Sequence, residues 1–153
     1  DNMKAGAAKV GRVLPDDFPV GGVILAACNN DGAKAKLATR AYVGTYVVNK
    51  LRNIKNDVIL AGSGLPAETW DPFREAIKND TADDVAHLVT DDMQRRFTVI
   101  SGTPEDCIEI TQELIDSGMN LPLLEVVGAS EEDNLETIRL FGAEVLPHLK
   151  AKA

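Results

Sequence analysis

The sequence predicts an α/β fold built on parallel strands. Two short apolar runs, residues 20–28 and 121–127, have the length of strands, and each is followed by a helix with its own capping residue. The first run is continuously apolar rather than alternating, which is typical of a strand buried on both faces. Helical stretches separate the two runs, so we expect them to be parallel neighbours in one sheet.

Composition places the chain among folded globular proteins. Its 153 residues are 44% apolar and 26% charged, which suits a single domain with one core. The net charge of −8 disfavours nonspecific binding to nucleic acid or to an acidic membrane. With two histidines and two widely spaced cysteines, Cys28 and Cys107, the sequence predicts no metal site. We expect reduced thiols, no membrane span and a cytoplasmic location.

The first part of the chain predicts helix, strand, helix. Residues 3–11 indicate the end of a helix that stops at Gly11 and has no capping residue before it, so we expect the chain to lack its N-terminal portion. After the strand at 20–28, residues 29–32 are typical capping chemistry for a helix over about 33–51. One face of that helix carries small residues and a tyrosine, namely Ala35, Ala38, Ala41, Tyr42 and Thr45.

The middle of the chain, about residues 50–97, predicts a helical insertion. Residues 58–64 fit either a strand that runs into a glycine loop or a short helix that ends at glycine. Helices are predicted from about Glu68 to Lys78, at 82–89 after Thr81, and at 91–96 after Thr90.

The segment 101–128 carries the clearest helix signals. Thr103 is a predicted N-cap, Pro104 fits the first helical position, and Asp106 is placed to complete a capping box. Gly118 predicts the end of this helix. The strand at 121–127 follows, and Ser130 predicts the cap of a last helix.

Strand ends are the favoured place for a ligand. In parallel α/β proteins, ligands bind at the carboxyl ends of the strands. Asn29 and Ser130 follow the two predicted strands, so we select both as candidate substrate-binding residues.

Two arginines and a glycine pair are further candidates. Arg95 and Arg96 fit a site for a phosphate or carboxylate ligand, or else a solvated pair neutralised by Asp91 and Asp92. Gly62-Ser63-Gly64 is a weak match to a phosphate-binding loop, and a turn that ends a helix is favoured there. The position of Cys107 in the first turn of a helix predicts a lowered thiol pKa, with packing as the default role.

Four segments of the chain, taken in their order, resemble a known family. The segments are residues 11–18, 89–97, 101–105 and 140–149, of which the Gly-Thr-Pro-Glu helix start and the Glu-Val-Leu-Pro-His-Leu tail are the most distinctive. The chain is similar to the C-terminal part of the bacterial luciferase-like flavin- and deazaflavin-dependent oxidoreductases, and most similar to the methylenetetrahydromethanopterin reductase type.

The resemblance implies a (β/α)8 TIM barrel of which this chain supplies the last two strands as a single partial domain. It implies an oxidoreductase or monooxygenase that transfers hydride between FMN or a deazaflavin (coenzyme F420) and a small organic substrate. We also expect a homo-oligomer, namely a dimer, because a partial barrel leaves strand edges and helix faces bare. Family catalytic positions lie upstream, so we predict no catalytic residue in this chain and no tight cofactor binding by it alone. In one branch of the family an arginine near the position of Arg95 or Arg96 contacts a substrate phosphate.

A second hypothesis belongs to another class. A partial barrel leaves strand edges and apolar helix faces bare, so the chain also fits a non-catalytic α/β module that associates with itself and has no cofactor of its own.

Overall fold

We describe the fold from a computed structural model, which defines residues 2–53 and 60–150. The strands are β1 (Gly21–Cys28), β2 (Ile100–Gly102) and β3 (Leu121–Val126). The α-helices assigned there are α1 (Asn2–Lys9), α2 (Gly32–Arg52), α3 (Asp71–Lys78), α4 (Asp91–Arg96), α5 (Pro104–Asp116) and α6 (Glu131–Leu140). Short 3-10 turns cover Ala67–Trp70, Ala86–Leu88 and Leu146–His148, and a π-helical turn covers Phe141–Val145.

The strands form one parallel sheet in the order β2-β1-β3. The two strands predicted from the sequence are direct neighbours, with Val23 opposite Leu123 and Leu25 opposite Glu125. The structure adds β2, which pairs with the carboxyl end of β1 and places Gly102 opposite Cys28. At three residues, β2 is too short to produce a periodic signal in the sequence.

Local capping explains where α5 begins and ends. The Thr103 hydroxyl accepts a hydrogen bond from the Asp106 N–H, and the Asp106 carboxylate accepts one from the Thr103 N–H, as the predicted capping box requires. At the other end, the Met119 N–H donates to the Leu114 carbonyl across Gly118, which is the hydrogen bond of a Schellman motif. These local bonds fix the length of the connection between β2 and β3.

The helical insertion has the predicted outline, but the prediction of one of its helices is wrong. Asp31 and Thr90 cap α2 and α4, and the helix predicted at 68–78 is a 3-10 turn followed by α3. The helix predicted at 82–89 is only a 3-10 turn at Ala86–Leu88. Its expected cap, Thr81, instead donates its hydroxyl hydrogen to the Ala76 carbonyl and closes the preceding helix.

Two groups of buried side chains hold the chain together. The sheet core joins one face of the sheet to α5, α6 and the turns after α6; its members include Ile24, Ala26, Cys107, Leu140 and Val145. The helical core lies among α2, α3, α4 and their connections; its members include Val43, Val47, Trp70, Phe73 and Met93. One domain therefore contains two separate apolar cores rather than the single core predicted from its length.

The second face of the sheet is open along much of its length. Val23 is 68% exposed, Leu123 is 53% exposed and Leu121 is 49% exposed, although all three are apolar. The expectation that β1 is buried on both faces therefore holds only toward its carboxyl end, where Ala26, Ala27 and Cys28 are buried. The sheet core covers one face of the sheet, whereas on the other face Leu25 packs against the helical core and the amino-terminal half stays open. The apolar sequence of β1 and β3 belongs to a fold that covers both faces.

Candidate functional site

A groove runs along α2 and reaches the carboxyl end of β3 at Val127. We call it the α2 groove; its volume is about 510 Å³ and its lining is Ala38, Ala41, Tyr42, Thr45, Tyr46, Asn49 and Val127. The alanines leave space, the tyrosines supply flat apolar walls, and Thr45 and Asn49 supply polar groups. Such a mixture suits a planar ring with polar edges.

The position of one tyrosine in the groove is fixed from two sides. Tyr46 packs edge-to-face on Phe97 with ring centroids 5.6 Å apart, and the Lys50 ammonium lies 4.7 Å from the centre of its ring. Sequence reasoning found most of this stripe but not the groove, because the groove exists only where α2 passes Val127 at the end of β3.

Asn29 and Ser130 lie at the carboxyl ends of β1 and β3, as predicted. Their side chains make local bonds: Asn29 Oδ1 accepts from the Asp31 N–H at 2.9 Å, and Ser130 Oγ accepts from the Asp133 N–H at 3.2 Å. The space between the strand ends is about 10 Å³, near the minimum for one water molecule. An ion pair of 2.5 Å between Lys34 Nζ and Asp133 Oδ1 links the helices that follow the two strands. A ligand role for Asn29 or Ser130 therefore remains a prediction.

Arg95 extends toward α5 rather than toward the acids of its own helix. Its Nη2 atom lies 3.1 Å from carboxylate oxygens of both Glu109 and Glu113. Asp91, one of the partners considered in the sequence, instead accepts hydrogen bonds from Lys36 and Arg40, and the Arg40 bond is the main reason that the Asp91 pKa lies below its usual range. Arg95 already has two carboxylate partners, so binding an anionic ligand would require it to leave them.

The environment of Arg96 fits the second interpretation, a solvated arginine neutralised by an acid of its own helix. Its Nε atom lies 3.7 Å from Asp92 Oδ1, the predicted partner one turn back. The nearby glycine pair forms a turn after helical residues 60 and 61, with the Ser63 N–H donating to the Leu60 carbonyl. This supports the helix-ending turn at 62–64; residues 58 and 59 of the ambiguous run lie outside the described residues.

A second, more polar cleft of about 180 Å³ lies among α2, α4, β2 and α5. Arg95 and Asp91 are on its rim, and the buried Gln94 lies inside, where its amide donates to the Lys36 carbonyl and the Thr39 hydroxyl. These charged and polar groups already bond to one another, so we interpret the cleft as a structural contact between helices rather than a ligand site.

The two cysteines are buried together in the sheet core. Hydrogen bonding with Cys28 and then burial raise the pKa of the Cys107 thiol, so the lowered pKa predicted from its helix position is wrong. Cys28 and burial outweigh the helix N-terminus here, and the nearby Asp106 carboxylate raises the pKa of the Cys107 thiol further.

We expect both thiols to be unreactive in the native protein, because both side chains are buried away from solvent. With Ellman's reagent near neutral pH, native protein should release almost no thiolate product, and two equivalents should appear on unfolding in urea. A fast native equivalent, removed by Cys107→Ala, would contradict the raised pKa of Cys107.

The described residues contain neither a metal-binding cluster nor a membrane-spanning helix. Within 2–53 and 60–150, no group of three or more His, Cys, Asp or Glu side chains is arranged to hold a metal ion. None of the helices defined over those ranges combines the length and hydropathy required to cross a membrane.

Comparisons with known proteins identify relatives of this chain. No protein-family model matches it. It is 34% identical over 156 residues to the 5,10-methylenetetrahydromethanopterin reductase of Archaeoglobus fulgidus, which covers 98% of this chain and 44% of that protein. It is 30% identical over 149 residues to the reductase of the same name from Methanopyrus kandleri, covering 97% of this chain and 40% of the relative.

A solved structure supports the same assignment. The coenzyme F420-dependent tetrahydromethanopterin reductase from Methanopyrus kandleri superposes on this chain with a TM-score of 0.72 at 30% identity, over 97% of this chain and 40% of that one. The predicted α/β fold, part of a (β/α)8 barrel, is confirmed. The chain spans about two-fifths of the length of the relatives that it matches. It is therefore homologous to one part of the 5,10-methylenetetrahydromethanopterin reductases, the type within the luciferase-like family that its sequence resembles.

Proposed function

We propose that this chain forms part of the active-site wall of a coenzyme F420-dependent oxidoreductase whose substrate is a methylenetetrahydromethanopterin-type pterin. The observation that carries the proposal is the superposition on the F420-dependent reductase over 97% of the chain at 30% identity. When bound, the deazaflavin would supply or accept the hydride. Since this chain covers only part of its relatives, it is expected to hold a ring of the bound pair rather than the whole cofactor.

The chain's own contribution is to orient and shield that ring. The α2 groove reaches the carboxyl end of β3 at Val127, and barrel enzymes bind their ligands at the carboxyl ends of strands. Tyr42 and Tyr46 offer flat walls that exclude water, while Thr45 and Asn49 offer hydrogen bonds at the edge of a ring. The favourable geometry for hydride transfer depends on such fixed walls.

Filling the groove tests this proposal. Ala41 is exposed on α2, so Ala41→Trp should fold normally and occupy the space for the ring. In the polypeptide as its gene encodes it, oxidation of reduced F420 by methylenetetrahydromethanopterin should lose about tenfold or more in kcat/KM. Leu37→Trp, an exposed site of the same helix outside the groove lining, is the matched control and should keep the wild-type rate.

The outcomes separate the function from the location. Wild-type protein that cannot oxidise reduced F420 with this pterin would refute the proposed reaction. If Ala41→Trp has the same kcat/KM as active wild type, the proposed reaction stands but the ring binds somewhere other than the α2 groove.

FMN with oxygen as the electron acceptor is the family's other chemistry, and it would make the protein a monooxygenase. The names of the relatives favour the deazaflavin. Titration of the encoded polypeptide with FMN and with F420 distinguishes the two; tighter binding of FMN would support the monooxygenase alternative.

We also propose a dimer in the cytoplasm. The exposed apolar side chains of Leu135 and Ile138 on α6 favour a subunit contact, and the free cysteines favour a reducing compartment.

The non-catalytic alternative uses self-association too, through the open sheet face around Val23 and Leu123. Sedimentation measures the assembly, and a dimer without affinity for F420 or the pterin would favour the alternative.

A further inference from the structure

Glu125 is the only Asp, Glu, Lys, Arg or His in the three described strands. Alternation along β3 places it on one face with Leu121 and Leu123, whereas Leu124 packs against the sheet core on the other. Its partner across the sheet is Leu25 of β1. The open, otherwise apolar face of the sheet therefore carries one carboxylate.

This carboxylate has no protein partner in the part of the chain that the structure describes. No ion pair or side-chain hydrogen bond joins Glu125 to any residue of 2–53 or 60–150. The relatives are more than twice as long as this chain, so further residues are available in them to enclose this face beside α2. A carboxylate enclosed there is costly unless hydrogen-bond donors or a cation meet it.

Glu125 also lies next to the α2 groove. It is the penultimate residue of β3, and the strand pairing continues one step further through the hydrogen bond from the Val127 N–H to the Ala26 carbonyl. Val127 is therefore on the same face as Glu125 and about 7 Å along the chain from it, and Val127 lines the groove. A ring bound in the groove brings one edge within reach of the Glu125 side chain.

We propose that Glu125 is a substrate-positioning residue that binds the pterin through its adjacent amino and ring N–H groups; this inference rests on the proposed function. Two neighbouring N–H donors match the two oxygens of a carboxylate. The pyrimidine-dione edge of a deazaflavin instead places a carbonyl on each side of a single N–H, and those oxygens repel a carboxylate. Glu125 therefore selects the pterin over the cofactor.

The test compares Glu125→Gln with wild type in the polypeptide as its gene encodes it. The amide keeps the shape but replaces one acceptor with a donor, so the KM for methylenetetrahydromethanopterin should rise about 10- to 100-fold. The KM for reduced F420 should stay within about twofold, because no bond to the cofactor is lost. Glu68→Gln, at an exposed site on a 3-10 turn, is the control and should change neither KM.

A direct measurement keeps the inference independent of turnover. Calorimetric titration with tetrahydromethanopterin should show the same 10- to 100-fold weakening in Glu125→Gln even if wild type does not oxidise F420. If wild type turns over and the variant has an unchanged KM for the pterin, the inference about Glu125 is refuted and the proposed function stands. The same holds if only the KM for reduced F420 rises. A variant that loses thermal stability but binds pterin normally assigns Glu125 to a protein ion pair and also refutes it. Absence of pterin binding by wild type refutes both proposals.

Discussion

Gly102→Ala is expected to destabilise the chain by about 3 to 5 kcal/mol, since backbone strain and overpacking add at this position. Gly102 has a φ of +144°, in a region that side chains disfavour, and an added Cβ would lie 2.2 Å from Asp106 Oδ2. That oxygen accepts the Thr103 N–H in the capping box of α5. Gly102 also ends β2, and its carbonyl accepts the Asn29 N–H, so the strain would reach β1. Urea unfolding followed by circular dichroism measures the loss.

Gly118→Ala is the matched comparison, because it shows the cost of backbone strain without a steric clash. Gly118 has a φ of +107°, but nothing lies within 4 Å of its added Cβ. We expect a cost of about 1 to 2 kcal/mol from conformation alone. Equal losses at Gly102 and Gly118 would mean that the contact with Asp106 relaxes without cost, contrary to this account of the α5 start.

Local chemistry made much of the fold predictable. The caps at Asp31, Thr90, Thr103 and Ser130 each use bonds between residues two or three apart, so the sequence alone contains both partners. The neighbouring strands β1 and β3 followed from apolar runs joined by helices. Where a residue had a competing local partner, as Thr81 had in the Ala76 carbonyl, the prediction failed.

The candidate site depended on distant pairs and was less predictable. Arg95 meets Glu109 and Glu113, which are 14 and 18 residues away, and no pattern in the sequence favours them over the acids of its own helix. The α2 groove likewise requires Val127 to approach Tyr42, which the stripe on α2 does not reveal. Glu125 was visible as an interruption of an apolar run, but its face became known only from the register with Leu25.

Phe73→Ala is expected to cost about 3 to 5 kcal/mol, because it empties a fully enclosed aromatic site. Phe73 is 1% exposed on α3 and lies with its ring centroid 6.5 Å from that of Trp70 in the helical core. Phe18→Ala is the control at a ring that is 36% exposed, and its cost should be about 1 kcal/mol or less. Urea unfolding of the two variants beside wild type gives both values.

Hydrogen exchange of Phe73→Ala also shows how the two cores are coupled. Amides of α2, α3 and α4 should exchange much faster, whereas those of β1 and β3 should change less, because the sheet core has its own buried members. Uniform acceleration through β3 would instead mean that the cores unfold as one unit. The distinction bears on function, because α2 packs Val43 and Val47 into the helical core and lines the groove with other residues, among them Tyr42. A loosened helical core should therefore widen the groove.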